Sequence, residues 1–578
     1  MAFFKVWAPR AQKVQVKVKN SLSNLNAKDH GWWEAEITKA RPGDDYAYVL
    51  DDRDKPLPDP RSPFQPYGVH GASRLVDHDA FPWTDSGFQA QPLSSAVIYE
   101  CHVGTFTPKG SFEAMIPKLD YLCDLGITHV ELMPVNEFPG SRGWGYDGVD
   151  LFAPHHHYGG PDGLKKLVNA CHEKGLAVLL DVVYNHLGPD GNYLDQFGPY
   201  FTDRHHTPWG RAVNFDTPGS DVARRFFVDN ALMWLRDYHF DGLRLDAIHA
   251  IVDTSATHIL EELANEVEAL EAYVGRQKVL IAESNLNDPR VIQPSGFGGY
   301  GNHTQWTDDV HHALHTILTG ENQGYYIDFG SFADLAKALK NAYVYDGQYS
   351  QFRRRNLGKP PHHLNGHKFV TFLQNHDQVG NRAQGERLHH IAGIDRLKIG
   401  AALLFTSPFV PLIFQGEEWA ASTPFLYFTD HQNPDLGKAV LEGRRREFAD
   451  FGWAAESIPD PQNENTFQRS VLNWHECETE PHQSVLQWYK KLIQLRKQFP
   501  ELTDGRRQDV QVDYDETKKW INVQRRNIST VCNLSDDPQE IALPVPEKPV
   551  VLLKSGNEIS IHDRGVTLPP QSVAILWQ

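Results

Sequence analysis

The chain has 578 residues, 40% of them hydrophobic and 22% charged, the balance of an ordinary soluble globular protein. That length has room for about four average domains, or for one large barrel with small flanking domains. Its 56 Lys and Arg against 74 Asp and Glu give a net charge of -18, which argues against nucleic acid as a partner, since phosphate binding needs a basic face, and leaves neutral ligands open.

Residues 1–95 read as an N-terminal β-sandwich, structural or carbohydrate-contacting, because Val14-Gln-Val-Lys-Val-Lys and Trp33-Glu-Ala-Glu-Ile alternate with period two. A Pro- and Asp-rich linker follows from Asp51 to Pro66. Met1 to Trp7 lacks a long apolar core and a cleavage site, so no secretory signal is predicted. From residue 96 to 502 the pattern changes to strand, loop, helix, strand, which signals a parallel sheet with crossover helices. Eight strands are predicted, at Ala96-Val-Ile-Tyr-Glu, Ile127-Thr-His-Val-Glu-Leu, Leu176 to Val183, Phe240 to Asp246, Lys278 to Glu283, His303-Thr-Gln-Trp306, Lys368 to Asn375 and Val410 to Glu417. The fold class is therefore α/β, a (β/α)8 TIM barrel between two β-sandwiches. Gly163 to His172 and Val222 to Arg236 are predicted crossover helices, and Ser484 to Gln498 a closing helix. Residues 187–216 have no clear period and form a loop excursion on the active face. Ile399 to Phe414 is too short to span a membrane and is broken by Pro408 and Pro411, so a buried helix end and a strand are expected. Residues 503–578 return to short strands and read as a C-terminal β-sandwich. The five cysteines are odd in number and fit no zinc spacing, so free thiols in the reducing cytoplasm are expected.

Several of the predicted strands end on ionisable residues, and acids at the carboxyl ends of separate buried strands are where a β/α barrel keeps its chemistry. Asp246 follows Arg244 by two positions, so both point to one face, and the guanidinium favours the ionised carboxylate that a nucleophile needs. Glu283 ends an apolar run, where poor solvation and neighbouring acids raise a carboxyl pKa and keep a proton available for general acid work. Asp377 and His376 are placed to grip the hydroxyls of a ring being cleaved, and His186 to touch sugar. Asp181 lies inside an apolar run and is expected to play a structural role, orienting Arg244 or another neighbour. Adjacent fourth and fifth strands would bring Asp246 and Glu283 close, which favours a retaining glycosidase. Gly296-Phe-Gly298-Gly-Tyr-Gly301 matches a dinucleotide fingerprint but opens no helix and reads as a loop. His155-His-His157 reads as a loop in contact with solvent or sugar, and His311 and His315 lack the Glu that a zinc protease helix carries. No metal ligand set and no cofactor is called for.

The strand-end motifs resemble the sequence regions of the α-amylase superfamily, glycoside hydrolase family 13. Tyr99-Glu-Cys-His-Val-Gly, Gly143-Trp-Gly-Tyr-Asp-Gly-Val-Asp, Asn230-Ala-Leu-Met-Trp-Leu-Arg, Gln305-Trp-Thr-Asp-Asp-Val-His-His and Gly416-Glu-Glu-Trp-Ala-Ala-Ser are similar to the maltooligosyltrehalose trehalohydrolases within it. The resemblance implies hydrolysis of the α-1,4 bond beside the terminal trehalose of maltooligosyl trehalose, downstream of a maltooligosyltrehalose synthase. It implies Asp246 as nucleophile, Glu283 as proton donor and Asp377 as transition-state stabiliser. Arg244, His186 and His376 match residues lining the cleaved ring's site, and Tyr146 matches an aromatic stacked on it. Trp209, Trp306, Phe425 and Tyr427 are expected as further sugar platforms. Ala282-Glu-Ser departs from the expected Ala-Glu-Asp, and Cys101 stands where Leu is usual; neither change removes a catalytic side chain. The rival readings are a glycogen branching or debranching enzyme and, in a different class, a non-catalytic glucan-binding protein, which would have lost one of the acids retained here.

Overall fold

The computed structural model describes residues 1–51, 53–447, 453–454, 457–543 and 548–578. Eight parallel strands close into a barrel in chain order, β1 Ile98–Cys101, β2 His129–Leu132, β3 Ala177–Val182, β4 Gly242–Leu245, β5 Val279–Glu283, β6 Thr304–Trp306, β7 Phe369–Phe372 and β8 Val410–Phe414, with β8 pairing back to β1. Each falls within or overlaps the run predicted for it. These strands read as continuous apolar text because both faces are covered, one by the barrel interior and one by the helices.

Period two then sorts the side chains. Ile98, Leu179, Val279, Ile281, Trp306, Val370, Phe372, Val410 and Leu412 form the interior plug. Val178, Leu180, Leu243, Leu280, Phe369 and Ile413 belong to the outer core under the helices. Two residues beyond Leu179, on the same face, comes Asp181; two beyond Ile281 comes Glu283; Arg244 lies level with Asp181 across the β3–β4 register. The apolar plug thus ends in a polar layer at the carboxyl ends of the strands.

The crossover helices include α1 Gly160–Glu173 and α2 Ser220–Asp237. Helix α1 buries Leu164, Leu167, Val168 and Cys171, an i, i+3, i+4, i+7 stripe against the sheet. The stretch 399–414 divides as expected, into helix α3 Ile394–Thr406 and strand β8. Helix α4 His482–Gln498 closes the barrel. The excursion carries more order than its sequence shows, a short helix Leu194–Phe197 and a hairpin of Phe201–Thr207 with Gly210–Val213. An unforeseen hairpin, Asp346–Ser350 with Arg355–Gly358, stands between β6 and β7.

At the N-terminus a three-stranded sheet faces a four-stranded one, and Val14, Val16 and Val18 turn inward while Lys17 stays exposed. Phe4 and Tyr46 meet edge to face across the gap at 5.1 Å. At the C-terminus, five-stranded and three-stranded sheets enclose Val531, Ile541, Val566, Ala574 and Leu576. Arg525 joins the C-terminal sheets to the barrel by donating to the carbonyls of Thr406, Ser407 and Leu502. The five cysteines are free thiols, and among the described residues no helix is long and apolar enough to cross a membrane.

Asp85 fastens the segment before β1 to the barrel. Its buried carboxylate accepts from His172 (2.8 Å), His239 (2.8 Å) and Arg276 (3.0 Å), while His172 also reaches Asp241 (2.9 Å). Removing one partner of such a cluster leaves buried charge uncompensated, at a cost of about 3–5 kcal/mol. Asp85→Ala is predicted to lower the denaturant midpoint accordingly, and a midpoint equal to that of the wild type would show that the cluster contributes nothing net.

Candidate active site

Arg244 is the floor of the site. It is fully buried, with Trp306 beneath its guanidinium at 4.3 Å. Its Nη1 donates to both oxygens of Asp181 (2.9 and 2.8 Å) and to Asp246 Oδ1 (2.7 Å), and its Nη2 lies 3.1 Å from Glu283 Oε2. Three carboxyl groups from three neighbouring strands thus share one cation.

Their environments drive them apart. Burial works to raise the Asp246 pKa, but Arg244, His186 and the Asn185 amide, which donates to Oδ2 at 2.8 Å, outweigh it and hold it below the usual Asp range. At Glu283 burial wins over Arg244, with help from Asp246 and Asp377, and the pKa is pushed up to about 8. Asp181 is raised by burial to about 6 against the pull of Arg244. Ala247, just after Asp246, takes a left-handed φ of 39° that a non-glycine residue adopts only under constraint, and its N–H donates to Glu283 Oε2 at 2.5 Å. That peptide ties the backbone that follows Asp246 to the Glu283 carboxyl.

Above this floor opens a cavity of about 450 Å³ lined by Asp246, Glu283, Asp377, His186, His376, Tyr146, Trp209 and Tyr427, among others. Asp377 lies beyond β7 with its side chain 39% exposed, and accepts from Asn381 at 3.1 Å. The Tyr146 hydroxyl donates to Asp181 at 2.6 Å, and its ring stacks on His376 at 5.2 Å. Tyr146 owes its place to Gly145, whose φ of 100° turns the chain between Trp144 and Tyr146, and where a Cβ would lie 2.2 Å from the Pro134 carbonyl. Trp209, 50% exposed on the excursion hairpin, stacks on His186 at 4.6 Å.

Two expected sugar platforms lie elsewhere. Trp306 is 1% exposed and Phe425 0%. The first supports Arg244, and the second packs flat on Trp144 at 5.2 Å. Both stand in aromatic-rich text near the motifs, and sequence cannot tell a ring facing the ligand from one backing it. The structure adds wall residues that sequence reasoning missed: Asp147, His249, Asn285 and Arg444. Asp147 stands inside the quoted Gly143 motif, whereas Arg444 comes from a helix, Pro434–Glu447, that no motif marked. Asn285 also lines a recess with Asp308, His312, Tyr325, Phe352 and Arg353, where burial raises Asp308 to about 7.

The His155–His157 tract lies outside this cavity. His155 is fully buried and stacked on Phe138 at 3.8 Å, against the expected solvent or sugar contact, whereas His156 is partly exposed and His157 exposed to solvent. Glu137, His155 and His156 are the one group of such donors among the described residues close enough to hold an ion, their atoms within 4.8 Å of one another. Hydrogen bonds engage part of the group, while His155 Nε2 has none and lies 3.8 Å from Glu137 Oε1. Glu137 takes the amide and Nδ1 of His156 at 2.9 and 2.7 Å, and His155 Nδ1 accepts from the His157 amide at 3.2 Å.

Carboxylates at the ends of neighbouring barrel strands, one held charged and one held protonated, define a glycoside hydrolase site. Residues 78–209 match the family model for the alpha amylase catalytic domain. The chain is 46% identical to a malto-oligosyltrehalose trehalohydrolase of Mycobacterium tuberculosis, over 100% of this chain and 99% of that one. It is 48% identical to that of Saccharolobus solfataricus over 86% and 85% of the two chains. A solved structure from Salmonella typhimurium, described as an alpha amylase, superposes with a TM-score of 0.91 at 39% identity, covering 100% of this chain and 97% of the other. A pullulanase from Anoxybacillus, with a TM-score of 0.74 at 18% identity over 100% and 86%, shares the fold alone. The chain belongs to the malto-oligosyltrehalose trehalohydrolase family.

The raised pKa of Glu283 carries a stability cost with a definite sign. The folded chain keeps this proton up to about pH 8, whereas the ordinary value is 4.5. Stability from the protonated group is fully present below 4.5 and is lost as pH rises through 8. Glu283→Gln, which cannot ionise, is predicted to gain thermal stability over the wild type as pH is raised across that window. Unfolding temperatures that stay parallel from pH 4.5 to 8 would contradict it.

Proposed function

We propose that this chain is a retaining hydrolase that cleaves the α-1,4-glucosidic bond beside the terminal trehalose of maltooligosyl trehalose, releasing trehalose and a maltooligosaccharide. The observation that carries the retaining route is the pairing of Asp246 and Glu283 to adjacent nitrogens of one guanidinium. Two carboxyls drawn to one guanidinium from adjacent strands support the short separation of a retaining pair.

Asp246 attacks the anomeric carbon and forms a covalent glycosyl ester. As the C1–O bond breaks, Glu283 gives its proton to the departing trehalose oxygen. Water then attacks the same anomeric carbon, losing a proton to Glu283, which restores the acid, and the C1–O bond to Asp246 breaks to release its carboxylate. Asp377, His376 and His186 hold the ring's hydroxyls as it flattens, and Tyr146 stacks on it. Trp209 and Tyr427 carry neighbouring sugar rings. The recess of Asp308, Tyr325 and Arg353 adjoins the cavity through Asn285, which lines both. The units at 1–95 and 503–578 flank the 96–502 catalytic barrel as supporting β-sandwiches. The free thiols suit the cytoplasm, and a maltooligosyltrehalose synthase is the partner that would supply the substrate.

Free trehalose is expected from maltotriosyl trehalose, with the new reducing end appearing first as the α anomer by NMR; a β product would refute retention. Glycogen branching or debranching is the rival, and a relative of that kind, a 1,4-alpha-glucan branching enzyme of Pseudoalteromonas atlantica, is 26% identical over 92% of this chain and 69% of that one. New or lost α-1,6 linkages in glycogen, with no trehalose from the first substrate, would favour it. The pH profile of kcat/KM should be bell-shaped, with an acid limb below the usual Asp range from Asp246 and a basic limb near 8 from Glu283. Asp246→Asn should cost about 10³-fold or more in kcat, and full activity in that variant would show the nucleophile to be elsewhere.

A further inference from the structure

Glu100 is buried on β1, one strand pair away from the cavity, and faces the barrel interior in register with Glu131 of β2. Both its oxygens are spent on one residue. Oε2 accepts the His376 amide N–H at 3.0 Å, and Oε1 accepts from His376 Nδ1 in a short contact. The other ring nitrogen, Nε2, lies 2.7 Å from the Tyr146 hydroxyl. That hydroxyl donates to Asp181, which accepts from Arg244. An unbroken chain therefore runs from Glu100 through His376, Tyr146 and Asp181 to the guanidinium that holds Asp246 and Glu283.

The chain has a direction, fixed by proton count. A phenol has one proton to give, and Tyr146 gives it to Asp181. Its contact with His376 then requires Nε2 to donate, while Nδ1 donates to Glu100, so the imidazole carries both protons. A neutral ring with its proton at Nδ1 would instead take the Tyr146 proton at Nε2 and leave Asp181 without that donor. We propose that Glu100 is a positioning residue that keeps His376 doubly protonated and so sets the orientation of Tyr146 and Asp181 beneath the substrate. The proposal rests on the reading of His376 as a group that grips the cleaved ring.

The charged surroundings of His376 agree. Burial and Arg244 on β4 oppose its charge, yet Glu100 and Asp377 prevail and hold its pKa up at about 9. Asp181 on β3 adds a further acid, and His102, neutral through burial, adds no charge at neutral pH. Glu131 on β2 is kept protonated by burial, and neither of its oxygens finds a hydrogen-bond partner among the described residues. The two buried glutamates therefore make a matched pair, one engaged and one idle.

The test is histidine-labelled NMR on the full-length enzyme, with the His376 signal assigned by its loss in His376→Asn. In the wild type the ring should be cationic at pH 7, and in Glu100→Gln it should be neutral. In parallel, Glu100→Gln should lower kcat on maltotriosyl trehalose about 10- to 100-fold, the size of effect seen when the carboxylate partner of a metal-bound histidine is removed, with KM little changed. Glu131→Gln should keep wild-type kcat. A neutral His376 in the wild type, a measurement that needs no variant to fold, would overturn the proposal, as would wild-type kcat in a folded Glu100→Gln. If the ring behaves as expected but the wild type releases no trehalose, the substrate reading fails and the positioning role stands.

Discussion

The structure turns on one buried cation. Arg244 has no route to water, so its charge exists only because Asp181, Asp246 and Glu283 surround it. An isolated guanidinium there would be prohibitively expensive, and an isolated carboxylate equally so. Each justifies the burial of the others. Trp306 closes the last open face, which explains why so large an aromatic sits in the barrel interior. A buried ion cluster of this kind is a poor device for stability, since apolar side chains would fill the space at less cost. Its value is geometric, because hydrogen-bond directions fix carboxylate positions more tightly than packing does.

One cation cannot satisfy three acids equally, and the inequality sorts them. Asp246 takes the closest contact together with an amide from Asn185, and stays charged. Glu283 is held at the edge of the guanidinium with Ala247 N–H as its nearer donor, and keeps a proton into the neutral range. The proposed division into nucleophile and acid thus follows from placement around a shared partner. The two side chains differ by a single methylene, so their intrinsic chemistry would not separate them.

The elements above the barrel wall the cavity. The hairpin within 201–213, the turn at Gly145 and the helix Pro434–Glu447 bring Trp209, Tyr146 and Arg444 to one cavity from points far apart in the chain. Loops at the carboxyl ends of strands can vary without disturbing the plug beneath them.

Much of this was legible in the text of the chain. Strand positions follow from apolar runs, which are local. The convergence of Asp181, Arg244 and Glu283 follows from period two on parallel strands, once a closed barrel is accepted. Trp306 and Phe425 were misplaced as platforms because composition marks an aromatic but not its direction. Arg444 and the Arg353 hairpin carried no signal at all, since their approach to the site depends on how long connections fold back over the barrel. The sequence by itself determined the order of the strands and the identity of the acids, because backbone periodicity is a property of neighbours. Only the tertiary structure decided which acid is charged, which ring lines the cavity and which glutamate lacks a hydrogen-bond partner, because desolvation and hydrogen bonding are properties of what surrounds a group in space.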